Sequence, residues 1–100
     1  MSISVASTTN DNIIRIRVID RFDYSVHKEF REAYKDSDPS AEFIIDMSKT
    51  SYMDSYALGM LLLLREHLGN NNSKISIADC TAEIRTILEI SKFQNLFNIR

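Results

Sequence analysis

One hundred residues, 44% apolar and 26% charged, fit one ordinary globular domain with a single core. The net charge of −2 argues against a dedicated nucleic-acid binder, which would carry a basic stripe. A lone cysteine, Cys80, excludes an internal disulfide, and no apolar run approaches the roughly eighteen residues of a membrane span. Met1–Thr9 has neither the basic start nor the continuous apolar stretch of a secretory signal, so the expected compartment is cytoplasmic.

In chain order, Ile3–Thr8 alternates loosely, as a short edge strand does, and Asn10-Asp11-Asn12 makes a polar turn. Ile14, Ile16 and Val18 alternate with Arg15 and Arg17, the period of a strand with one face on a core, so the chain opens with a hairpin. Phe22-Asp23-Tyr24-Ser25 breaks that alternation. Val26, Phe30, Ala33 and Tyr34 then follow at helical spacing, with Asp23 or Ser25 as N-cap and Pro39 in the connector that ends the unit.

Phe43–Met47 is continuously apolar, as expected of a strand with both sheet faces covered. A polar loop leads to a helix over about Asp54–Leu68, stopped by Gly69 at the position after its C-cap. Ile75–Ala78 is a further strand. Thr81-Ala82-Glu83-Ile84 opens a last helix that turns Ile84, Ile87, Leu88 and either Ile90 or Phe93 inward. Leu96–Ile99 is a final strand or a docked tail. The predicted order is β-β-α-β-α-β-α-(β), an α/β fold with a mixed sheet of about four to five strands and helices packed on one or both faces.

Asp54-Ser55 puts a hydroxyl in the first turn of a helix, where free amides and the positive dipole end favour negative charge. Such a position tolerates a phosphate without melting the helix, although Asp-Ser at a helix start is most often a plain cap. At about 100° per residue, Ala57, Leu58, Leu61, Leu64 and Leu68 share the core face of this helix. Ser55, Gly59, Leu62 and Glu66 form a second stripe, and Tyr56, Met60, Leu63 and His67 a third. A helix apolar almost all round is rarely left uncovered, so a second helix covers Leu62 or Leu63, or a partner docks there beside Gly59.

Other candidates are weaker. Two or three carboxylates without ligand spacing give no metal site, and His27 and His67, with polar neighbours, read as surface residues. Cys80 precedes a helix start, where a thiol pKa can fall, but a packed structural cysteine is the commoner case. With only Gly59 and Gly69, the chain has no phosphate-cradling glycine loop, and no base or nucleotide loop supports an enzyme.

The strand ending at Asp46, followed by Asp54, Ser55, Ala57, Leu58 and Gly59, resembles the signature of the STAS domain of bacterial anti-sigma factor antagonists. Nearly the whole chain fits that family's element order, with Asp23 at an acidic position before the first helix. Tyr56 stands where many members have a second Ser or Thr, and Asp20 where many have Gly at the end of the second strand. The resemblance implies a non-enzymatic phospho-switch without cofactor or metal, with Ser55 as the phosphorylation site and Asp23 and Asp54 flanking it. Tyr56, Gly59, Met60, Leu62 and Leu63 would then bind the partner. That partner would be an anti-sigma factor or GHKL-type serine kinase, with a PP2C-type phosphatase reversing the modification and no nucleic acid or membrane involved. The alternative is a non-switching STAS module that serves as an accessory subunit of a transporter or signalling scaffold.

Overall fold

The computed structural model describes residues 3–8, 12–69 and 74–100, so most of the turn expected at Asn10–Asn12 and the residues after Gly69 lie outside the description. In chain order the strands and helices are β1 (Ile3–Thr8), β2 (Ile13–Val18), β3 (Asp20–Phe22), α1 (His27–Tyr34), β4 (Glu42–Asp46), β5 (Thr50–Met53), α2 (Ser55–His67), β6 (Lys74–Ala78), α3 (Ala82–Ile90) and β7 (Asn98–Ile99). Short 3-10 turns over Tyr24–Val26 and Phe93–Asn95 precede α1 and β7.

Five strands make the main sheet in the order β1-β2-β4-β6-β7. β1 and β2 form the expected antiparallel hairpin, with Ile3 opposite Val18 and Thr8 opposite Ile13. Every other pairing in this sheet is parallel, and the crossovers carry the helices. The C-terminal segment is resolved as a strand, β7, lying parallel to β6.

One face of the sheet is the core. Ile16, Val18, Phe43, Ile45, Ile75 and Ile77 are buried there together with Phe30 of α1, Leu61 and Leu64 of α2 and Leu88 of α3. Each such side chain contributes about 1.5–3 kcal/mol by leaving water. The other face differs from the expectation drawn from Phe43–Met47. Ile44 is only half-buried, and its register neighbours are Arg15 and Ser76. On that face, next to Ile44, the buried Asp46 carboxylate accepts hydrogen bonds from Arg15 Nε and Arg17 Nε, both at 3.2 Å. A continuous apolar run therefore does not require two covered faces when an arginine pair shields the outer one.

β3 and β5, which the sequence reads as a break and a polar loop, pair in parallel as a separate two-stranded sheet. Segments this short carry too few alternations to register as strands. Asp20 opens β3 with φ +66°, the left-handed region, which explains why glycine suits this position and why aspartate can replace it. Its amide donates to Lys49 O at 2.9 Å, and Thr50 Oγ1 donates to Val18 O at 2.8 Å, so the small sheet is tied to the main one. In α3, capped by Thr81, Ile84 and Leu88 point inward and Ile90 is 75% exposed. Phe93 takes the inward position instead, because Lys92 at φ +63° turns the chain back.

Candidate functional site

Two helix starts meet at the end of the small sheet. In its register Arg21 faces Tyr52 and Phe22 faces Met53, and both Phe22 and Met53 are anchored in the core. The residues that follow, Asp23 and Asp54, stay extended and then cap the helical turns beyond them. Asp23 accepts the Ser25 amide at 3.0 Å and the Ser25 hydroxyl, and Asp54 accepts the Ala57 amide at 3.2 Å. Of the two proposed caps for the first helical unit, Asp23 is therefore the one used.

Ser55 is the first residue of α2, and its side chain is exposed. Its hydroxyl forms no hydrogen bond among the described residues. Asp23 and Asp54, expected to flank it, both spend their carboxylates on caps, and Asp23 is also paired to Arg21 Nε at 2.9 Å. Hydrogen bonds from Ser25 and then from Arg21 lower the Asp23 carboxyl below its ordinary value, and the Asp23 bond raises the Arg21 guanidinium in turn. The Ser55 side chain is left exposed in the first turn, directly after the Asp54 cap.

An aromatic surface lies at the same two helix starts. The Tyr24 ring stacks on His27 at 4.6 Å and meets Tyr56 edge-on at 5.3 Å, while the Arg21 guanidinium lies 4.1 Å above the Tyr52 ring. Tyr56 is 61% exposed, Leu63 57% and Leu62 41%, so neither leucine is covered by a second helix. Met60 belongs to the core instead. It is only 7% exposed because α1 packs over that side of α2, lining a groove between them with Phe30 and Tyr34. Above Gly59 an added Cβ would meet nothing within 4 Å, so this stretch of α2 is open to a close approach.

The sequence reading missed Arg21, Tyr24 and Tyr52. A signal was present: Phe22-Asp23-Tyr24-Ser25 and Met53-Asp54-Ser55-Tyr56 share an apolar residue and Asp followed by Tyr and Ser in opposite order. Cys80 is half-buried, and burial pushes its thiol up, away from the reactive range. Among the described residues no group of three or more potential ligands could hold a metal ion, and no helix is long and apolar enough to cross a membrane.

The family model for the STAS domain matches residues 4–100. The chain belongs to the STAS domain family. A STAS-domain containing protein of Pseudomonas aeruginosa (strain UCBPP-PA14) is 41% identical over 99% of both chains. An anti-sigma-B factor antagonist of Staphylococcus aureus is 23% identical, covering 99% of this chain and 94% of its own. Among solved structures, the anti-sigma factor antagonist SpoIIAA in its unphosphorylated form superposes with a TM-score of 0.70 at 16% identity, over 98% of this chain and 86% of that one. The Bacillus cell fate determinant SpoIIAA in its phosphorylated form gives 0.67 at 14% identity, over 98% and 90%. The chain thus has the fold of these antagonists as well as their family signature.

Proposed function

We propose that this STAS domain is an anti-sigma factor antagonist switched by phosphorylation of Ser55. The observation that carries the reading is the exposed Ser55 hydroxyl at a capped helix start, unbonded among the described residues and next to the exposed Tyr56, Leu62 and Leu63 of the same helix. The naming of a Staphylococcus relative as an anti-sigma-B factor antagonist, and of SpoIIAA in both a phosphorylated and an unphosphorylated form, supports it. In the unmodified state Tyr56, Leu62 and Leu63, with Gly59 allowing close approach, dock an anti-sigma factor or GHKL-type serine kinase in the cytoplasm. A phosphoryl group adds about −1.5 to −2 charge in the middle of that surface, beside Asp54. The helix dipole tolerates the charge, but an interface would have to desolvate it, so the complex breaks. A PP2C-type phosphatase then restores binding. The domain itself has no catalytic role in this scheme.

The test uses a candidate kinase encoded beside the protein, with wild type, Ser55→Ala and Ser55→Asp. Wild type is expected to gain one phosphate and Ser55→Ala none, while Ser55→Asp binds at least tenfold more weakly, about 1.4 kcal/mol. Undiminished labelling of Ser55→Ala would place the switch on another hydroxyl. Full binding by Ser55→Asp would favour the non-switching module, with Ser55 as a plain cap residue.

A further inference from the structure

Arg21 sits in a charge cluster with Asp23 and Asp54, the residue before Ser55. It lies on β3 opposite Tyr52 of β5, its guanidinium 4.1 Å above that ring. Its hydrogen bond to Asp23 uses the Nε–H, one of the five donors of the fork. Two residues beyond Tyr52, and on the same side of the extended chain, stands Asp54, whose charge also favours the Arg21 cation. Ser55 is the next residue. The Arg21 side chain is 62% exposed, so it can change partner without crossing the core.

We propose that Arg21 is the residue that pairs with a phosphoryl group on Ser55, exchanging its present partner Asp23 for the phosphate; this rests on the reading of Ser55 as the modified residue. A phosphate monoester carries more charge than a carboxylate and offers three oxygens, which the planar guanidinium meets in a bidentate way. Asp23 keeps its two hydrogen bonds from Ser25 when Arg21 leaves, so the cap and the start of α1 persist. Without Arg21, the phosphate would face Asp23 and Asp54 with only the dipole of α2 to offset it. The exchange makes the modified state self-contained. The phosphate is partly neutralised from within the chain, and the guanidinium is withdrawn from Asp23 and from the ring of Tyr52, both beside the docking surface.

The test needs no kinase: phosphoserine is installed at position 55 by amber-codon suppression and followed by phosphorus NMR against pH. Arg21→Ala is expected to raise the second phosphate pKa by about half a unit or more relative to wild type. Arg21→Lys, which keeps the charge but not the fork, should fall between, and Arg31→Ala on α1 should leave the titration unchanged. In the wild-type phosphoprotein the Arg21 Nε–H resonance should shift on modification and follow the phosphate titration. Equal phosphate titrations in wild type and Arg21→Ala, or an unmoved Nε–H resonance, would overturn the pairing. Partner binding is measured separately on the same phosphoprotein. Retained binding would sink the switch reading while leaving the Arg21 result to stand on its own titration.

Discussion

Aspartates carry much of the local order, and each does so through a different set of partners. Asp46 is the most tightly held. Burial by itself would push its carboxyl up, but hydrogen bonds from the Ser48 amide and hydroxyl and from Arg17 and Arg15 outweigh it and bring the pKa down to about 2. The folded value lies below the ordinary 3.8, so the ionised group favours the fold at neutral pH. That contribution, about 2 kcal/mol, is complete above roughly pH 4 and is lost as pH falls towards 2. Urea unfolding at pH 6 and pH 2.5 should show the loss, and Asp46→Asn should flatten the stability curve in this window. Asp23 and Asp54 instead cap exposed turns. Ser55 beside them has no structural bond to lose, so Ser55→Asp is expected to melt within a few degrees of wild type. A thermal scan showing an unfolded variant would remove the separation of switch from fold.

At the scale of elements, α2 serves two surfaces. Its inner face, with Ala57, Met60, Leu61 and Leu64, is buried against the sheet and α1, so Leu61→Ala should cost about 2–5 kcal/mol in denaturant unfolding. Its outer face presents Tyr56, Leu62 and Leu63 to solvent, where Leu62 or Leu63 changed to Glu removes little buried packing. Leu63→Glu is therefore expected to keep wild-type stability while weakening partner binding at least tenfold, about 1.4 kcal/mol, by calorimetry. Gly59→Gln tests the same face from the backbone side. The site is sterically open and Gln is the better helix former, so the helix should gain up to about 1 kcal/mol while partner affinity falls. Unchanged affinity in both variants would move the interface away from α2.

For the whole molecule, function depends on how the small β3–β5 sheet is fastened to the large one. The buried Thr50 hydroxyl bonding to Val18 O is one such link, and Thr50→Val, nearly the same shape, should cost about 1–3 kcal/mol by leaving that carbonyl unpaired. The order of the main elements, the opening hairpin and Gly69 as the helix stop were legible in the chain, because long periodic runs and turn residues act locally. Ser55 as the first residue of a helix capped by Asp54 was legible too, from the Asp-Ser pair and the apolar run after it. Which side of that helix stays open was not. Angles alone grouped Met60 with Tyr56 and Leu63, and only the placement of α1 separates them. The meeting of Arg21 with Tyr52 and of Tyr24 with Tyr56 was equally hidden, since it follows from a parallel pairing between segments about thirty residues apart and too short to show a period. The sequence by itself determined the elements other than β3 and β5, the capped serine and the excess of apolar surface on one helix, all consequences of neighbours in the chain. Tertiary structure alone decided which charges surround the serine and which apolar side chains remain for a partner, because both depend on contacts that exist only once distant strands and helices have packed.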